Sequence, residues 1–163
     1  MKTKAAFLAL TLALAACSPA VSDSAGAPAP VQQAALHPVS GLAVVPLTVT
    51  SAKGARHAFR VEVAGTGAEQ ARGLMFRASM GDDEGMIFPM SPPRMASFWM
   101  RNTVIPLDII HIGVDGRISN IHANTVPYSE SPLPSEGLVK GVLELNGGRA
   151  AELGIVPGDK VEW

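Results

Sequence analysis

The sequence predicts an α+β domain that is mostly β: a compact, barrel-like antiparallel or mixed sheet with one or two short helices. Three observations point there. From Leu42 onward, apolar and β-branched runs are broken by Gly and Pro before they reach helical length. Asp115-Gly116 and Lys53-Gly54 each lie between two such runs, as hairpin turns do. Only two segments, about 68–77 and 149–153, read as helices.

The elements follow in chain order. Val44 to Ser51 and Arg56 to Ala64 flank Lys53-Gly54 as a hairpin, and Phe59, Val61 and Val63 alternate with Arg60 and Glu62, so the second strand buries one face. In the segment 68–77, Ala71, Leu74 and Met75 share a helical stripe while Glu69, Gln70 and Arg72 face elsewhere. Gly81 to Gly85 is a turn cluster. It is read as a solvated acidic loop, because it lacks the alternating ligands and distal glutamate of a calcium loop. Met86 to Phe88 forms a short strand ending at Pro89, Ser91-Pro92-Pro93 a loop, and Met95 to Arg101 a returning strand. Leu107 to Val114 and Arg117 to Asn124 form the clearest hairpin. A two-residue turn pairs Ile112 with Ser119, Ile110 with Ile121 and Asp108 with Ala123, with Asp108, Ile110, Ile112 and Ile121 on one face. The other face carries Leu107, Ile109, His111, Asn120, His122 and Asn124. A Pro/Ser-rich loop spans 126–137. Leu138 to Leu145 is a strand, the helix 149–153 stops at Gly154, and Pro157-Gly158-Asp159 turns into a closing strand, Lys160 to Trp163.

Ahead of this domain, Lys2 and Lys4 precede an apolar stretch, Ala5 to Ala13, long enough for a signal peptide and too short to span a bilayer. Leu14-Ala15-Ala16-Cys17 closes it around the chain's one cysteine. This run resembles the lipobox of bacterial lipoprotein precursors, which implies removal of residues 1–16 and acylation of Cys17. An ordinary secretory signal leaving Cys17 as a free thiol is the competing reading. Stable anchoring takes two or more acyl chains. Ser18, rather than Asp, resembles the outer-membrane sorting pattern. The expected place is the bacterial cell envelope, in a periplasm-facing lipoprotein of the outer membrane, with the membrane as partner through the Cys17 lipid. Residues 17–41, dominated by Ala, Pro, Ser and Gly, are expected to form the anchor and a flexible tether to a single domain, 42–163. The alternative is an ordered arm, suggested by Leu36 and Val39.

Composition excludes several classes. Cleavage removes two of thirteen basic side chains and none of the fourteen acidic ones. With no Lys/Arg cluster able to follow a phosphate backbone, nucleic acid is not an expected partner. Once Cys17 is acylated, no thiol remains for a disulfide, a thiolate metal site or cysteine catalysis. No cofactor is expected.

Taken in order, Arg72-Gly73-Leu74-Met75-Phe76-Arg77, Glu84-Gly85-Met86-Ile87-Phe88, Phe98-Trp99-Met100-Arg101-Asn102-Thr103, Pro106-Leu107-Asp108 and Leu143-Glu144-Leu145-Asn146-Gly147-Gly148 resemble the DUF192 family from about Phe59 to Val161. The resemblance implies a compact, mostly β fold with one or two short helices and carries no catalytic roles. His111 departs from the family pattern, which has an aromatic or aliphatic residue there.

The polar members of these motifs are the candidate site. Asp108 sits on an otherwise apolar face and needs donors, either as a structural cap of the 102–106 turn or as part of a pocket with Arg101, Asn102 and Glu144. Glu144 and Asn146 share one strand face. Trp99 and Phe98 point to opposite faces, so one ring is free to line a concave surface. The expected function is a non-catalytic small-ligand or envelope-component binding domain with Trp99, Arg101, Asn102, Asp108, Glu144 and Asn146 at its pocket. One alternative is an enzyme acting on an envelope component through Asp108 and Glu144. Serine-triad chemistry lacks its Gly-x-Ser-x-Gly elbow. The other alternative is copper or zinc. Met75, Met80, Met86, Met90, Met95 and Met100 could supply soft thioethers, although core packing explains most of them. His111 and His122 form a two-imidazole pair lacking an evident third ligand.

Overall fold

A computed structural model describes residues 35–163. The signal segment, Cys17 and the tether up to residue 34 lie outside the described residues. Strand β1 (Ala35–Leu36) falls within the expected tether but pairs with β2 (Ala43–Thr50), so the ordered part begins before residue 42. A buried ion pair clasps this arm. Glu62 accepts two bonds from the Arg77 guanidinium, at 2.8 and 3.0 Å, and a third from the Ser40 hydroxyl, with His37 Nδ1 3.7 Å away.

The described residues form ten strands and two helices. After β2 come β3 (Arg56–Val63), α1 (Gly67–Arg72), β4 (Glu84–Arg94), β5 (Ser97–Phe98), β6 (Leu107–Gly113), β7 (Ile118–His122), β8 (Leu133–Pro134), β9 (Val139–Asn146), α2 (Arg149–Leu153) and β10 (Lys160–Glu162). The main sheet has the order β1-β2-β3-β4-β9-β6-β7, with β10 also on β2, while β5 and β8 pair separately. All ladders are antiparallel except β3 with β4, which are joined through α1. The sheet is therefore mixed, but it does not close into the expected barrel. β10 spends its three residues on β2, and no ladder joins it to β7: the entry to β7 meets it through the Arg117–Lys160 bridge, the bond from Val161 N–H to the Gly116 carbonyl, and the bonds of Ile118 with Gly158 and Asp159.

Local differences have local causes. The helix expected over 68–77 stops at Arg72, because Gly73 takes a positive φ of 47° and its N–H closes on the Glu69 carbonyl. Thr66 starts it with a capping box to Glu69. β4 runs through Pro89 instead of ending there. Its parallel ladder with β3 ends at Ile87, so Pro89 lies where one edge is free and no donor is needed. The strand expected over 95–101 shrinks to Ser97–Phe98. In the β6–β7 hairpin, Ile110 faces Ile121 as expected, but a bulge puts Ile112 opposite Ile118 rather than Ser119.

Both sheet faces are covered. One carries Leu47, Phe59, Ile87, Ile110, Leu143 and Val161 with α2; the other carries Met86, Phe88, Met100, Leu107, Ile109 and Val142, under α1 and the 95–106 segment. Among the described residues, no helix is long and apolar enough to cross a membrane.

Candidate functional site

On this second face, α1 and the segment after it, the far half of β4, the 95–103 segment and β9 leave a cavity of about 340 Å³. That is the low end of small-molecule sites. Phe88, Met90, Phe98 and Leu74 contribute apolar wall, and Gly73 allows the close approach that forms it: a Cβ there would lie 3.3 Å from the Phe88 ring.

Glu144 is part of the wall. β9 places it between Met86 of β4 and Ile109 of β6, so its carboxyl stands on an apolar sheet face. It is buried, and Oε2 has no hydrogen-bond partner. Burial alone pushes its pKa up to about 8, so at neutral pH the group is a carboxylic acid. An unpartnered buried polar group costs about 1–3 kcal/mol, so a carboxyl held this way beside a cavity calls for an explanation.

The mouth is cationic. Arg72, Arg94 and Arg101 all line the cavity, and Glu144 is the one carboxyl among the lining residues. Neither Arg72 nor Arg94 pairs with a carboxylate among the described residues, while Arg101 meets the exposed Glu130 only at 3.7 Å. Gln70 on α1 holds Arg94 in place. Its amide donates to the carbonyls of Ala64 and Pro89 at 3.2 and 2.9 Å, and its oxygen accepts from Arg94 at 3.1 Å. The Arg101 guanidinium lies 5.6 Å from the Trp99 ring centre, which orients both at the rim.

Of the residues expected at the pocket, Trp99, Arg101 and Glu144 come together here. Asp108 does not. It is paired with Leu145, one register position from Glu144, and therefore points to the opposite face. There it is fully buried, accepting from the backbone N–H groups of Asn124 (2.7 Å), Gly148 (2.9 Å) and Ala150 (2.7 Å). It joins the β7 exit to the start of α2, not to the 102–106 turn. Asn102 takes a positive φ of 56° beside the cavity, and its amide approaches Met75 Sδ at 3.8 Å. Asn146 donates to the carbonyls of Met80 and Gly81, closing the loop ahead of β4.

His111 and His122 do meet, with ring centres 5.5 Å apart and edge-on. His111 is buried with both ring nitrogens unpartnered, and its pKa falls to about 4, first through burial and then through the neighbouring His122. Among the described residues, no group of three or more His, Cys, Asp or Glu side chains is placed to hold a metal ion. The methionines divide. Met86, Met90 and Met100 are core and Met80 packs against them, while Met75 and Met95, with Met90, line the cavity. Met100 Sδ lies 3.1 Å from the Thr125 hydroxyl, which donates to the Leu107 carbonyl at 2.8 Å.

Sequence reasoning missed Gln70, Arg72, Arg94, Phe88 and Met90 as cavity residues. Arg72 and Phe88 lie inside motifs already singled out. Arg94 sits in what reads as a loop, and nothing in its local pattern signals a position on a long strand.

Residues 48–163 match the profile of the DUF192 family, described as an uncharacterized ACR. No curated protein matches the chain. A crystal structure of a protein of unknown function from Novosphingobium aromaticivorans is 66% identical with a TM-score of 0.77, over 80% of this chain and 92% of that one. A second, from Sinorhizobium meliloti and provisionally named a transcription regulator, is 40% identical with a TM-score of 0.72, over 74% and 94%.

Proposed function

The chain belongs to the DUF192 family, and we propose that it is a non-catalytic binding domain whose site is the cavity walled by Glu144. The observation that carries this reading is the buried carboxyl with one oxygen unpartnered on the wall of a small-molecule-sized space. In a purely structural role an apolar residue would serve better there. An acid–base pair of Asp108 with Glu144 has no geometric support, since the two carboxyls lie on opposite faces and Asp108 is spent on three backbone donors. The regulator role named for the Sinorhizobium protein is not carried over to a chain with more acidic than basic side chains and no run of Lys/Arg in its sequence.

The proposal includes the location: acylation of Cys17 holds the domain at the periplasmic side of the envelope, so the ligand is a periplasmic small molecule or envelope fragment. Mass spectrometry of the protein from membranes tests the anchor, and an unprocessed N-terminus or a bare thiol would overturn it. A thermal-shift screen of envelope-derived small molecules tests the site. At least one class should raise the melting temperature of the wild type and leave it unchanged in Ala71→Trp or Ser97→Trp, which fill the cavity from two sides. Shifts that survive both substitutions, or the absence of any shift, would sink the reading.

A further inference from the structure

We infer that the cavity takes an organic anion with an apolar body, the anion held by Arg72, Arg94 and Arg101 at the mouth and the body lying against Phe88, Met90 and Phe98. This rests on the reading of the cavity as a binding site and specifies its ligand. Three features of the wall lead to it.

The first is charge. Three exposed arginines line one cavity, and two of them lack any carboxylate partner within 4 Å among the described residues. Like charges around one space repel one another, and these three line it in a domain with more acidic than basic side chains available to neutralise them. Arg94 is also positioned, not merely exposed: Gln70 spends both its amide donors on two carbonyls, which fixes the oxygen that accepts from that guanidinium. Planar, doubly donating guanidiniums suit a carboxylate, sulfonate or phosphate.

The second feature is the body of the cavity, which is aromatic and thioether-lined, with Phe88 and Phe98 edge-on at 5.0 Å. A bare inorganic anion would leave this surface against water. An apolar body fills it and gains the burial. Thirdly, Glu144 is the single carboxyl in the lining. Held as the acid by its surroundings, it donates a hydrogen bond to an acceptor on the ligand instead of repelling an anion.

Two fluorescent probes with one ring system separate these claims: anilinonaphthalene sulfonate, which is anionic, and phenylnaphthylamine, which is neutral. Titrated into the purified wild-type protein, the sulfonate should bind about tenfold or more tighter than the neutral probe. The advantage should shrink to about twofold when Arg72, Arg94 and Arg101 are all changed to Gln, and should weaken with added salt. Ala71→Trp and, independently, Ser97→Trp should abolish both signals. Displacement by decanoate or by naphthoate, but not by the matching alcohols, supports the inference and tells an aliphatic body from an aromatic one.

Equal binding of both probes, lost in the two Trp variants, would overturn the anion inference while leaving the binding-site reading intact. Retention of the sulfonate advantage in the triple Gln variant would overturn the role given to the arginines. Displacement by alcohols as readily as by acids would also overturn the inference. Binding insensitive to both Trp variants, or no binding, would overturn the inference and the underlying reading together.

Discussion

Asp108 and Glu144 sit on neighbouring strands, both buried, and meet opposite fates because a pleat separates them. Asp108 points into a place where three backbone N–H groups converge, two of them at the start of α2, and every donor finds an oxygen. Glu144 points between Met86 and Ile109, where none is available. Substitution should therefore act in opposite directions. Asp108→Ala strands three buried donors and should cost at least about 3 kcal/mol in urea unfolding, with cavity binding retained by the molecules that fold. Glu144→Leu should leave stability at pH 8 unchanged or raised while removing ligand binding. A stable Asp108→Ala protein would show that the cap is dispensable. At this scale the sequence showed that both carboxyls needed explaining. It could not show that they serve different faces, because alternation places Asp108 and Glu144 only within their own strands, and the pairing register between β6 and β9 decides whether they meet.

Elements carry the site into position through two glycines. Gly73 ends α1 and lets the chain pass close to Phe88, so Gln70 and Arg72 reach the mouth. Gly85 does the same for the strands: a Cβ there would stand 2.6 Å from the Glu144 carbonyl and 2.9 Å from a Leu145 methyl. Backbone oxygen cannot yield as a side chain can. Gly85→Ala should push β4 from β9 and cost about 3 kcal/mol, at the upper end for overpacking, with the loss seen in chemical denaturation. A change below about 0.5 kcal/mol, the range of ordinary surface substitutions, would show that the two strands have slack. The β6–β7 hairpin shows how far local pattern reaches. The Ile110–Ile121 pair and both faces were legible from alternation, while the bulge that shifts Ile112 to Ile118 was not. Likewise β4 was read as a short strand because proline ordinarily ends one. Its continuation depends on β3 having already left that edge, which is a fact about a neighbour.

For the whole molecule, two buried ionisable groups on one sheet face set an unusual pH profile. Unfolded Glu144 releases its proton near 4.5, but folded Glu144 holds it to about 8, so stability falls as pH rises through that window. Unfolded His111 takes up a proton near 6.5 and folded His111 only near 4, so stability falls as pH drops through that range. The two slopes cancel where they overlap. Stability should be level between pH 4.5 and 6.5, then decline by about 2 kcal/mol toward pH 8, at 1.36 kcal/mol per unit. Urea midpoints across that range test it. Glu144→Gln should flatten the upper limb, and a wild type equally stable at pH 6.5 and 8 would contradict the burial argument.

Sequence alone determined the mostly-β class, the two helices and the ordered family motifs, and it singled out Trp99, Arg101 and Glu144, which the fold brings to the lining of one cavity. These follow from period, turn chemistry and composition, all of which act over a few neighbouring residues. Tertiary structure decided that the sheet stays open, that residues 35–41 lie on it, that Asp108 serves the opposite face, and that Arg72 and Arg94 join Arg101 at one mouth. Each depends on strands distant in the chain meeting in one register, and no local pattern encodes which side chain will stand across the gap.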